Sequence, residues 1–177
     1  APGDPLYFDP MPHGIALALD ADAERLTVGL TPRRPQFSAD IRIDVQIDRD
    51  GLLETCEIVC LPSGAALDRL LVHTSQSTGA APWQWSCDNA LGTLAVRKLS
   101  PDEQLSAGAG NFGDAWELSW RLPQRERFTL RGTRRATFDS TVPISLVAAP
   151  EAASQSGHLR IAVEDATEIE IDNRRLR

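Results

Sequence analysis

The chain has 177 residues, 42% of them hydrophobic and 24% charged, with 18 Lys and Arg against 25 Asp and Glu for a net charge of −7. That balance belongs to a soluble folded domain with a sizeable core, not to a disordered segment. The acidity excludes the electrostatic footprint of a phosphate-backbone binder, and no apolar run approaches the ~20 residues of a membrane-spanning helix, so neither nucleic acid nor direct membrane insertion is expected.

In chain order, "GIALALD" and "ERLTVGL" read as an early hairpin around an Asp20–Asp22 turn. "FSADIRIDVQID" then alternates without a break, with Phe37, Ala39, Ile41, Ile43, Val45 and Ile47 on one face and polar residues on the other. Only a strand sends successive side chains to opposite faces, so a long half-buried strand is predicted. The Asp50–Gly51 turn leads into "LLETCEIVCLPSG", the second half of a hairpin. "SGAALDRLLVH" is open between a short helix and a turn leading into a strand, with the turn plus strand preferred, and "LGTLAVRKL" reads as another strand. "SPDEQLSAG" carries a capping box, with Ser100 as N-cap, Pro101 at the first helical position, Glu103 three residues after the cap and a stop at Gly108. "AWELSWRL" repeats the alternation, placing Trp116, Leu118, Trp120 and Leu122 on one face, and "RFTLRG", "TVPISLV", "GHLRIAVED" and "TEIEID" are shorter versions. Antiparallel strands with one polar face are what two packed sheets produce. The expected fold is an all-β, antiparallel two-sheet sandwich of about ten strands with at most one or two short helical turns. A single domain over residues 1–177 is expected, with residues 74–82 as a loop or linker and a second loop from Ala149 to Gly157.

Several motifs suggest chemistry. "GAGNFG" (Gly108, Gly110, Gly113) matches a dinucleotide pattern, but a helix precedes it and a strand follows, the reverse of the order that places a helix N-terminus at the pyrophosphate. It reads as a loop, and no cofactor is expected. "DRDGLLE" (Asp48, Asp50, Gly51, Glu54) lacks the further ligand positions of a calcium loop and reads as a hairpin turn. Asp40, Asp44 and Asp48 share a strand face but spread over about 26 Å, too far to converge on one ion. "RGTRR" (Arg131 to Arg135) reads as a solvated strand edge that discourages aggregation. His13, His73 and His158 are far apart in sequence, and no G-x-S-x-G nucleophile signature is present. No catalytic or metal residues are assigned; a hydrolase centred on His73 or His158 is an alternative that requires convergence in space.

The aromatics and cysteines are the remaining candidates. Trp116 and Trp120 alternate with leucines and are expected in the core. Trp83 and Trp85 also share a face, and if exposed they would stack sugar rings. Cys56 and Cys60 would lie roughly 13 Å apart on a regular strand, beyond the ~7 Å reach of a disulfide. Either all three cysteines are reduced core residues, or Cys87 pairs with Cys56 or with Cys60.

The stretch "FSADIRIDVQIDRDGLLETCEIVCLPSGAALDRLLV" resembles β-domains of large, uncharacterised bacterial envelope proteins, in which a long alternating strand leads into an "LP-G-x-x-L" stretch and a further strand; "VPISLVAAPEAASQSGHLRIAV" resembles a later segment of the same class. The resemblance covers about half the chain. It implies a non-catalytic, extracytoplasmic (periplasmic or envelope) β-sandwich in a multidomain protein. Ala1 opens the chain and "IEIDNRRLR" ends it just after a strand-like run, as expected of a piece of something longer. The expected function is a structural or interaction module, not an enzyme, whose partners are neighbouring domains or another protein. The alternatives are a carbohydrate-binding module using Trp83 and Trp85, with a glycan as partner, and the hydrolase.

Overall fold

The alternating segment forms strand β1 (Gln36–Ile47), which pairs antiparallel along its whole length with β2 (Leu52–Ser63). The computed structural model describes residues 35–48, 51–77, 79, 81–107, 113–137 and 143–163, all within one structural unit, Arg33–Arg177. The expected hairpin at residues 14–30 and the strand "TEIEID" lie outside the described residues. At the β1–β2 turn the Gly51 N–H donates to Asp48 Oδ1 at 2.7 Å, and the Asp48 N–H donates to Gly51 O at 3.0 Å. This Asp and Gly therefore build a turn rather than a calcium loop.

The remaining elements are β3 (Leu67–Thr74), β4 (Gln84–Asp88), β5 (Leu94–Lys98), α1 (Pro101–Ser106), β6 (Asp114–Gln124), β7 (Phe128–Ala136), β8 (Val147–Ala148) and β9 (Ser154–Val163). Five strands form one sheet in the order β4-β7-β2-β1-β9, and four form the other, β5-β6-β3-β8. The two sheets pack as the expected all-β sandwich. One pairing departs from the antiparallel rule: β9 runs parallel to β1, with Ile43 beside Leu159 and Val45 beside Ile161. The connection between β8 and β9 crosses from one sheet to the other, which returns the chain to the bottom of β1 in the same direction.

Of the described part of "TVPISLV" only Val147 enters a strand, the two-residue β8. The preceding backbone is bonded elsewhere. The Ser145 N–H donates to the Glu54 carboxylate at 2.7 Å, and Leu146 exchanges hydrogen bonds with Ser75 through its N–H and its carbonyl. The predicted capping box closes α1: the Glu103 N–H donates to Ser100 Oγ, and the Ser100 N–H donates to Glu103 Oε2 at 2.9 Å. The helix is one turn and a half because the cap residue Ala107 already leaves helical geometry.

Phe37, Ile41, Ile43 and Val45 of β1 and Leu52, Ile58 and both cysteines of β2 face Leu70 and Val72 of β3 and Trp116, Leu118 and Trp120 of β6. Each large side chain buried this way contributes roughly 1.5–3 kcal/mol of transfer free energy. Trp120 meets Phe128 edge to face across the interior, with ring centroids 4.9 Å apart. Leu122 continues the inward alternation of β6 but emerges at the end of the sandwich, exposed. On the outer face of the four-stranded sheet, Leu71, Leu99 and Ala115 form a second small buried cluster beside α1, where the Gln104 side chain donates to Leu99 O at 3.1 Å.

Candidate functional site

Trp83 and Trp85 flank Gln84 at the start of edge strand β4, so both indoles project to the same side. That side is the interior. Trp83 is 3% exposed, and Trp85 stacks on it with centroids 5.5 Å apart and planes at 23°. The Trp85 ring also lies against Gly132 of β7, its cross-strand partner. A Cβ at residue 132 would come within 2.6 Å of the ring, which explains the glycine in an otherwise regular strand. The pair is packed aromatic against aromatic, not laid out as an open stacking platform.

The cysteines share the inner face of β2 as the alternation requires. Cys56 and Cys60 are each 0% exposed, Cys87 is half-buried, and all three are free. The register explains why neither proposed pairing of Cys87 forms. β7 lies between β2 and β4: Cys56 sits opposite Gly132 and Cys60 opposite Phe128, while Cys87 sits opposite Leu130. Two interstrand spacings of about 4.8 Å and a two-residue offset separate Cys87 from either partner, about 12 Å in all and beyond disulfide reach. Burial pushes the Cys56 and Cys60 thiols up to about 12 and that of Cys87 to about 11; the Trp120 side chain, near the Cys87 sulfur, only partly offsets this. Such thiols are not nucleophiles at neutral pH. A thiol reagent at pH 8 is therefore expected to leave Cys56 and Cys60 unmodified in the folded protein and to titrate three thiols in the unfolded, unreduced chain; one thiol instead of three would contradict the register.

The two described histidines, His73 and His158, do not converge. His73 projects from β3 between Ala115 and Ala148, on the outer face of the four-stranded sheet, and burial lowers its pKa while Glu151 pulls the other way. His158 lies exposed beside Arg42 on the five-stranded sheet. His13 lies outside the described residues, as do Gly108 and Gly110. Gly113 opens β6 at φ +33°, packed so closely on the chain after β3 that a Cβ would meet Thr74 O at 2.0 Å, a structural demand for glycine. The acidic set also disperses. Asp40 accepts from Ser156 Oγ at 2.9 Å, Asp44 pairs with Arg160 at 2.7 Å, and Asp48 holds the turn. Among the described residues no three His, Cys, Asp or Glu side chains are grouped to hold a metal ion.

A groove of about 450 Å³ runs beside α1 on the outer face of the four-stranded sheet. Arg97 pairs there with Glu103 at 2.5 Å and Glu117 at 3.2 Å, and Arg69 bridges Glu117 and Glu151 at 3.7 Å each. The Arg97 guanidinium and the Ser100 donors hold Glu103 down to about 2. Both arginines are held by carboxylates, and with Asp102 also in the lining the groove carries four acids against two bases, with no free cation among its described residues.

The strongest buried polar feature was not legible as a site. Glu54 and Arg134 are cross-strand partners on β2 and β7, and their alternation turns both inward. Arg134 Nε lies 2.5 Å from Glu54 Oε2, with side chains 5% and 0% exposed. The N–H is not aimed along that contact, so the pair is held as charges rather than by a linear hydrogen bond. Glu54 Oε1 accepts from Ser145 N–H, and Arg134 Nη2 donates to Pro143 O at 3.4 Å. Desolvation raises the Glu54 pKa, outweighing the Ser145 N–H and the Arg134 charge that lower it. The "RGTRR" segment is thus not a strand edge: β7 lies between β4 and β2, Arg131 and Arg135 are exposed on its outer face, and Arg134 is interior. The signal available in sequence was a charge of opposite sign at an inward position of each strand, after Leu52 and after Gly132.

No family model matches the chain, and no curated protein matches it as a relative.

Proposed function

We propose that the chain is a non-catalytic structural or interaction module, a β-sandwich that meets neighbouring domains or a protein partner through its outer surface, within a larger extracytoplasmic bacterial protein. The observation that supports this reading most is the disposition of Trp83 and Trp85. These were the residues best suited to a ligand, and they are committed to each other and to Gly132. What faces solvent is instead a polar sheet face tied by cross-strand ion pairs, such as Arg131 with Asp88 at 3.0 Å and Asp44 with Arg160. The extracytoplasmic placement rests on the resemblance of residues 37–72 and 142–163 to envelope β-domains. The free thiols of Cys56 and Cys60 are compatible with it, because fully buried thiols of raised pKa offer no thiolate to an oxidant.

The carbohydrate alternative requires Trp85, the more open indole of the pair, to present a ring face. Thermal unfolding in the presence of a panel of mono- and oligosaccharides tests the choice. No shift is expected with any sugar. A rise of several degrees with one of them, abolished in Trp85→Ala, would overturn the module reading.

A further inference from the structure

The end of the sandwich built by the β6–β7 connection brings exposed arginines and exposed leucines together. Arg69, Arg97, Arg131, Arg134 and Arg160 each have a carboxylate partner. Among the described residues Arg42, Arg121, Arg125, Arg127 and Arg135 have none; three of these, Arg121, Arg125 and Arg127, fall within seven consecutive residues and are all exposed, with one exposed carboxylate, Glu126, between the last two. This occurs in a chain with a net charge of −7, where carboxylates outnumber basic groups. Leu61, Leu91 and Leu122 emerge at the same end, 54%, 60% and 52% exposed.

The end is also fixed in place. Gln124, itself 2% exposed, accepts from Leu91 N–H and donates to Leu91 O, both at 2.8 Å, so the turn after β4 is clamped to the end of β6. Gly92, at φ +81°, packs beside Leu122 in that turn. Arg127 borders a groove of about 360 Å³ lined by Val59 and Leu61 together with Asp40, Ser38 and Ser156. Arginine next to fixed apolar side chains is the composition of a protein-contact surface, and a preorganised surface loses little freedom on binding.

We propose that this end, centred on Arg121, Arg125, Arg127, Leu91 and Leu122, is the interaction surface of the module and that its partner is an acidic polypeptide surface. The proposal rests on the module reading and names the partner's chemistry. Charge complementarity decides the partner: three exposed guanidiniums against the single carboxylate of Glu126 leave a local excess of positive charge that calls for carboxylates. A net charge of −7 opposes approach to an anionic bilayer, whose potential acts on every charge within a Debye length.

The test is binding of the full chain to immobilised poly-L-glutamate at low and high salt, with phosphatidylserine-rich vesicles in parallel. Salt-sensitive binding to polyglutamate is expected. The Arg121→Glu, Arg125→Glu, Arg127→Glu triple variant should bind at least about tenfold more weakly, as expected when several rim charges are reversed. Its thermal unfolding should match that of the unsubstituted protein, because none of the three side chains has a partner to lose. Arg42→Glu with Arg135→Glu, on the polar sheet face, should bind normally. Absence of polyglutamate binding, an equal loss in the Arg42 and Arg135 control, or binding to vesicles in place of polyglutamate would each overturn the proposal. If polyglutamate binding fails while the sugar panel stays silent, only this surface is lost; a sugar response removes the module reading itself.

Discussion

Glu54→Ala or Arg134→Ala alone is expected to destabilise the fold by about 3–5 kcal/mol, because each leaves the partner charge buried and uncompensated. For a domain of this size that corresponds to a fall in Tm of about 6–20 °C. Glu54→Leu with Arg134→Met should be more stable than either single variant, since an apolar pair removes both desolvation costs at once. It should still fall short of full recovery if the Ser145 N–H, which donates to Glu54, is left without an acceptor. Additive losses in the double variant would mean that the two charges do not interact. The pH dependence has a definite sign. Burial raises the Glu54 pKa above 4.5, so the folded state holds this proton more tightly than the unfolded chain. The resulting stabilisation is fully present below about pH 4.5 and is lost as pH rises through the folded value. Measured against the double variant, the unsubstituted protein should therefore gain stability on acidification.

Phe128→Ala is expected to cost about 3–5 kcal/mol, the range for deleting a large aromatic from a filled core. Phe128 is 1% exposed on β7 and packs edge to face on Trp120 of β6, so the pair joins the two sheets. A double-mutant cycle with Trp120→Ala should give a coupling of about 1 kcal/mol, the part of the loss that belongs to the ring pair rather than to burial. Denaturant unfolding provides both numbers. A cost below about 1 kcal/mol for Phe128→Ala would place the residue at a surface, since substitutions there rarely exceed a few tenths.

The strands were legible in sequence wherever one face is buried and the other wet, because period-two alternation is then a direct record of the environment. β1, β2 and β6 show this most clearly. The α1 cap was legible because a capping box is a local hydrogen-bond pattern. β8 was not: Leu146 and Ser145 satisfy their backbone groups with Ser75 and Glu54, partners far away in sequence. The parallel pairing of β9 with β1 had no local signature either, since register between distant strands depends on the path of the connection. The cysteines were half legible. Strand spacing excludes a bond between Cys56 and Cys60, but only the insertion of β7 between β2 and β4 separates Cys87 from both. Trp83 and Trp85 were ambiguous because a shared face does not say which face, and Gly132, the residue that receives the Trp85 ring, lies 47 positions away. Glu54 and Arg134 show the opposite case: each occupies an inward position in its own alternation, and only the pairing of the two strands makes that placement intelligible.

That Trp83 and Trp85 belong to the core rather than to a ligand platform is tested most directly by acrylamide quenching of tryptophan emission in the folded protein. Trp83, Trp116 and Trp120 are each at most 6% exposed, with Trp85 half-buried against them. The folded protein should be quenched several-fold less than the denatured chain, and saturating sugar should not change the quenching. Quenching in the folded state equal to that of the denatured chain, or protection on adding a sugar, would contradict the closed core.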